Sequence, residues 1–185
     1  MSRILLFSVA SMAIVVSAVI AENKGTATDI DGIKSRVPES WKQKDTDGKM
    51  RILHFVIPKE KGDEHDGEFL VFFFGKGGGG GVDANITRWK GMMTAPEGKS
   101  IDDLAKIEKV RVGDVPVTVL DVTGAYTHKA RPFDPNEKGE KRPDYRLIGM
   151  IIESPNGPFF VRITGPAKTI EANKKGIDAW LKGTK

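Results

Sequence analysis

Gly75-Lys76 and five consecutive glycines, Gly77 to Gly81, stand between an apolar run, Phe69 to Phe74, and an amphipathic stretch beginning at Val82. Glycines ahead of a helix N-terminus expose backbone N–H groups at the positive end of the helix dipole. That combination suits an anion. Lys76 and Arg88 add positive charge, and Asn85 stands on the same helix; the sequon Asn85-Ile86-Thr87 that it opens is expected by chance and sits in the helix. Lys76, Gly77, Gly78, Gly79, Asn85 and Arg88 are therefore candidate ligand- or partner-binding residues. The run also satisfies G-x-G-x-x-G. A dinucleotide site needs in addition a parallel βαβ unit and an acidic residue about 20 positions on, at the next strand end. Here a hairpin follows, and Glu97 falls in a loop. A P-loop fails too, because Met93 stands where the first glycine before Gly98-Lys99-Ser100 belongs.

Gly62 to Glu68 gathers Asp63, Glu64, Asp66 and Glu68 around His65. Oxygen ligands at short spacing can hold Ca²⁺, and a histidine can join a transition metal. The spacing is not that of a calcium loop, and acidic turns between strands are common. The three histidines are scattered: His54 in a strand, His65 and His128 in loops. No H-x-H, H-E-x-x-H or G-x-S-x-G occurs. No catalytic residue, metal site or cofactor is assigned. Tyr126, Arg131, Phe133 and Tyr145 punctuate a charged stretch, Thr127 to Arg146, read as a long surface loop. Aromatics among arginines favour protein contacts, which adds Tyr126, Arg131 and Tyr145 to the candidates.

The elements that must position these residues follow from pattern. Gly32 to Trp41 reads as an extended segment after a flexible lead-in, 22–31, and Asp45 to Gly48 as a turn. Met50 to Ile57 and Phe69 to Phe74 are strands apolar on both faces, apart from Arg51 and His54. Val82, Ile86, Trp89 and Met93 recur on one face of a helix, with Asp83 as a cap near its start. Residues 94–103 read as loop. Ala105 to Val112 and Val115 to Val122 flank Gly113-Asp114 as a hairpin. Leu147 to Ile152 and Phe159 to Ile163 form a second hairpin. Gly165-Pro166 opens a last helix whose inner side carries Ile170, Asn173, Ile177, Trp180 and Leu181. Consecutive hairpins predict a mainly antiparallel sheet, and strands apolar on both faces predict cover on both sides. The fold class is α+β, a sheet sandwiched by helices.

The chain has 185 residues, 29 Lys+Arg, 25 Asp+Glu and no cysteine. That length predicts one domain, spanning 32–185. The absence of cysteine excludes disulfides, thiolate metal sites and a cysteine nucleophile. The charges are interspersed, so a net +4 does not mark a nucleic-acid site. Arg3, the apolar stretch Ile4 to Ile20 and Ala21 have the pattern of a cleaved secretory signal peptide, 1–21. The expected location is periplasmic or secreted, with no stable membrane span after cleavage.

Several segments also carry a resemblance. Val37-Pro38-Glu39-Ser40-Trp41, Met50-Arg51, His54-Phe55, Ile57-Pro58 and Phe69 to Phe74 are similar to a family of uncharacterised exported bacterial proteins. So are Val82-x-x-Asn85-Ile86-x-Arg88-Trp89, Asp121-Val122-Thr123-Gly124-x-Tyr126 and Ile163 to Lys168. More distantly, the Pro-x-x-Trp opening and the helix bearing Asn and Arg-Trp resemble the PsbP-like superfamily (PsbP/DcrB-type). This resemblance implies an antiparallel sheet between helices and a role in binding other proteins without catalysis. The expectation is an exported, non-enzymatic accessory module that docks on an envelope or secreted protein. The alternative is a periplasmic protein that binds a small anion or a divalent cation.

Overall fold

The computed structural model describes residues 25–46, 49–130, 134 and 136–183. The signal segment 1–21, Arg131, Phe133 and half of the Asp45 to Gly48 turn lie outside these residues. The chain order is β1 (Gly25–Ile30), β2 (Ile33–Pro38), β3 (Lys42–Gln43), β4 (Arg51–Ile57), β5 (Gly67–Phe73), α1 (Val82–Lys90), β6 (Met93–Thr94) and α2 (Ile101–Leu104). Then follow β7 (Lys106–Val112), β8 (Val115–His128), β9 (Glu140–Ser154), β10 (Gly157–Pro166) and α3 (Ala167–Lys182). Eight strands form one antiparallel sheet in the order β3-β4-β5-β10-β9-β8-β6, with β7 also on β8. The architecture is mainly antiparallel β with a few helices.

Alternation along the strands splits the apolar residues between two faces. On one face Phe55, Phe69, Val71, Ile148, Met150, Val161 and Ile163 meet Ile170, Ile177 and Trp180 of α3. Phe69 is the hub, with Trp180, Trp41 and Phe55 ring centroids at 4.7, 5.4 and 6.1 Å. On the other face Leu120, Val122, Leu147, Ile151 and Phe160 meet Ile86 and Trp89 of α1. Trp89 lies so close to β9 that a Cβ on Gly149 would stand 2.2 Å from its ring. Only a residue without a side chain lets the helix settle there.

Two expectations are corrected. The lead-in 22–31 contains β1, which pairs along its whole length with β2 through an Asp31-Gly32 turn, both residues at positive φ. This hairpin is fixed to α3: Trp180 Nε1 donates to Thr28 Oγ1 at 2.9 Å and Ser35 Oγ to the Trp180 carbonyl at 2.6 Å. Likewise Thr127 to Arg146 is no long loop. β8 and β9 pair past Tyr126 to His128↔Glu140, leaving only 129–139 as the connection. Pairing outlasts the apolar runs because the strand ends reach beyond the helices, where polar side chains are tolerated. Smaller differences concern the helices. Gly81, not Asp83, is the N-cap of α1. The segment 94–103 holds one turn of helix, α2, closed by a Ser100–Asp103 capping box.

Candidate anion-binding cavity

On the α1 side of the sheet the helix covers β8, β9 and part of β10. β4, β5 and the rest of β10 are left without a helix over them. The face they present there mixes charged and apolar side chains. Period-two alternation places Glu68, Leu70 and Phe72 on one side of β5, and Arg162 and Thr164 on that side of β10, with Arg162↔Leu70 and Thr164↔Glu68 in register. In β4 a bulge between Arg51 and Leu53 brings both Arg51 and His54 to this face, opposite Phe72 and Leu70. The walls come from the end of α1 (Arg88, Gly91, Met92) and from the end of β8 and its exit, Tyr126 to Ala130. Together they enclose a cavity of about 630 Å³.

Its electrostatics are one-sided. Among the described residues Arg51, Arg88, Arg162 and Lys129 line it against a single carboxylate, Glu68. Among the described residues none of the three arginines forms an ion pair. Arg51 and Arg162 lean on the Phe72 ring, their guanidinium carbons 5.8 and 5.7 Å from its centroid. Arg162 Nη1 also reaches Met92 Sδ at 3.8 Å. The Nε atoms of Arg51 and Arg162 are buried without a hydrogen-bond partner. Buried donors without acceptors are costly and uncommon. A cation–π contact holds a guanidinium in place yet leaves its in-plane N–H groups open to an acceptor. His54 Nε2 comes within 3.3 Å of Glu68 Oε1 but makes no hydrogen bond, and its Nδ1 faces Arg51 Nη1 at 3.5 Å. Burial pushes the His54 imidazole below its ordinary pKa. Glu68 opposes that shift, while Arg51 and Lys44 add to it.

A second cavity of about 210 Å³ adjoins the first and shares Glu68, Tyr126 and His128 with it. Lys44, His65, Arg142, Tyr145 and Thr164 line its far side. His128 stands at the junction with its pKa lowered, by burial first and then by Arg142. The Tyr145 hydroxyl is raised by burial, against a smaller downward pull from Arg142. That arginine stands near enough to act on the hydroxyl, which nevertheless meets no hydrogen-bond geometry.

The residues expected from sequence fall into three groups. Arg88 lines the cavity. Asn85 does not: it is buried and binds the glycine loop, donating to the carbonyls of Gly79, Gly80 and Gly81 at 3.0, 3.4 and 3.0 Å. Arg88 Nη1 in turn donates to Asn85 Oδ1 at 2.9 Å. Lys76 and Gly77 are exposed on the loop and Gly78 is half-buried. Gly79 is in the left-handed region, φ +80°, where any Cβ would stand 2.3 Å from the Phe160 ring. Lys76, Gly77, Gly78 and Gly79 do not line the cavity. Tyr126 and Tyr145 are not exposed loop aromatics. They are strand residues, 7% and 5% exposed, stacked at 5.6 Å with an interplanar angle of 9°. Their apolar faces complete the core, and Tyr126 borders both cavities. Arg131 lies outside the described residues.

The acidic turn is held by hydrogen bonds of its own. Asp66 Oδ1 accepts from the Lys59 amide at 2.9 Å and Asp63 Oδ2 from Thr169 Oγ1 at 2.6 Å. Among the described residues no group of three or more His, Cys, Asp or Glu is placed to hold a metal ion.

Sequence reasoning missed Arg162, placed Glu68 with the acidic turn, and read Arg51 and His54 as exceptions in a core strand. A signal was present. Charged residues stand at inward positions of strands that are otherwise apolar, and such positions call for a functional reason.

No helix among the described residues is long and apolar enough to cross a membrane. No family model matches the chain, and no curated protein matches it. Among solved structures, a Pseudomonas aeruginosa protein of unknown function, described as a candidate regulator, superposes with a TM-score of 0.48 at 11% identity. The match covers 86% of this chain and 95% of that one. A similarity at this level supports no conclusion about fold or function.

Proposed function

We propose that the protein is a non-enzymatic binding module whose ligand is a small anion held in the Arg51–Arg88–Arg162 cavity. One observation carries this reading: among the described residues, three arginines free of ion pairs converge on one cavity that offers a single carboxylate. Guanidinium groups recognise carboxylates and phosphates through paired, planar N–H donors. The volume of about 630 Å³ is in the range of small-molecule sites. This keeps the anion arm of the alternative drawn from sequence and moves its location from the glycine turn to the sheet face. The reading as a module docking on an envelope or secreted protein loses its aromatic anchors once Tyr126 and Tyr145 are buried. The same proposal places the protein in the periplasm or outside the cell, on the strength of the Ile4 to Ile20 segment. It also takes the sheet, with α3 on one face and α1 on the other, as a PsbP-like arrangement.

The test is a thermal-shift panel of phosphate, sulfate, phosphate monoesters and mono- and dicarboxylates, followed by calorimetry of any hit. A ligand at 100 times its dissociation constant stabilises by about 2.7 kcal/mol. The expected result is a shift with one class of anion that disappears in Arg162→Leu. A flat panel contradicts the proposal.

A further inference from the structure

Building on that reading, we infer that the ligand is an anion that also carries a hydrogen-bond donor, an amine or a hydroxyl, a few bonds from its charge. The inference comes from Glu68, the one carboxylate that lines the cavity among the described residues. Glu68 and Arg162 are diagonal neighbours on adjacent strands, since Arg162 is opposite Leu70 and Glu68 lies two residues away on the same face. Diagonal positions are separated by roughly 7–8 Å, within reach of a long side chain. An arginine there would ordinarily turn to the glutamate and pair with it. Arg162 instead lies against Phe72, on the opposite side of Leu70 from Glu68.

The Glu68 carboxylate pairs with no arginine or lysine among the described residues. Its side chain is 39% exposed and stands 3.3 Å from the His54 ring. A cation that does not neutralise the adjacent carboxylate leaves both open. A ligand spanning the two would satisfy the orphaned donors of Arg51 and Arg162 with its anionic end and Glu68 with its donor end. A bare inorganic anion would use the first and leave Glu68 facing it as a like charge.

Matched pairs test this by isothermal titration: glycerol 3-phosphate against propyl phosphate, and 4-aminobutanoate against butanoate. In at least one pair the donor-bearing member should bind ten-fold or more tightly, because a site that hydrogen-bonds a ligand's donor discriminates against an isostere that leaves its acceptor unmet. In Glu68→Leu that preference should fall to within two-fold, with affinity for the donor-free member kept or improved. Glu68→Gln retains the side chain's shape and should weaken the preference for 4-aminobutanoate alone, which confirms that charge is what Glu68 contributes. Equal affinity within both pairs, or a preference that survives in Glu68→Leu, overturns the inference while leaving the anion cavity standing. If no member of either pair binds, the cavity reading falls and this inference with it.

Discussion

Arg88 donates through Nη1 to Asn85 Oδ1 at 2.9 Å while its guanidinium lines the cavity over the sheet. Asn85 spends its amide hydrogens on three successive glycine carbonyls. One side chain thus serves the ligand face and braces the residue that orders the glycine loop.

The two halves of that pair should separate by mutation. Asn85 is 2% exposed, and removing it leaves glycine carbonyls without their donor. Asn85→Ala should cost about 1–3 kcal/mol, with faster amide exchange across the loop. Arg88 is exposed, so Arg88→Ala should cost no more than about 1 kcal/mol and lower anion affinity about ten-fold. Urea unfolding and calorimetry on both variants check this. Equal, large stability losses at both positions would make Arg88 a structural residue only.

Gly149 and Trp89 form a second testable pair. With a Cβ at 2.2 Å from the ring, Gly149→Ala must push α1 off the sheet, at a cost of about 1–3 kcal/mol. The loss should shrink when Trp89 is also changed to leucine, giving a coupling energy measurable in a double-mutant cycle. Additive effects would show that the helix moves freely.

Acid should destabilise the fold beginning near pH 6.5. His54 and His128 are both held below the ordinary 6.5, with burial the largest cause for each. A histidine with a depressed folded pKa takes up its proton first in the unfolded chain. Its contribution is therefore complete above about pH 6.5 and is lost as pH falls from there toward the folded value. Hydrogen bonds lower the exposed carboxylates of Asp31, from Ser154, Asp103, from Ser100, and Glu140, from Arg142. They act in the same direction at lower pH. Urea midpoints followed from pH 8 to pH 5 should decline, and less steeply in His54→Gln. A flat profile would contradict this assignment.

Much of the fold was legible because its signals are local. Gly113-Asp114 between two β-rich runs gives the β7–β8 hairpin, and the spacing of Val82, Ile86 and Trp89 gives α1, whereas Met93, expected on the same helix face, opens β6 instead. β1 was missed although Asp31-Gly32 is a strong hairpin signal, because Thr26 to Asp29 lacks the apolar alternation of a strand with a buried face. The ends of β8 and β9 were lost for a related reason: strand pairing continues where hydrophobicity stops. The site itself depends on register. Arg51, Glu68 and Arg162 are more than 90 residues apart at the extremes. They meet only because β10 lies beside β5 and a bulge in β4 turns Arg51 inward. No spacing in the sequence contains that information.

Arg162 tests the central claim most directly. A cation with an unpartnered buried Nε on the inward face of a strand between β5 and β9 serves stability poorly. Calorimetry and thermal unfolding of Arg162→Leu should therefore show anion affinity reduced at least ten-fold with a melting temperature equal to or above that of the parent protein. Unchanged affinity, or a melting temperature lowered by several degrees, would make Arg162 a structural residue and contradict the binding account.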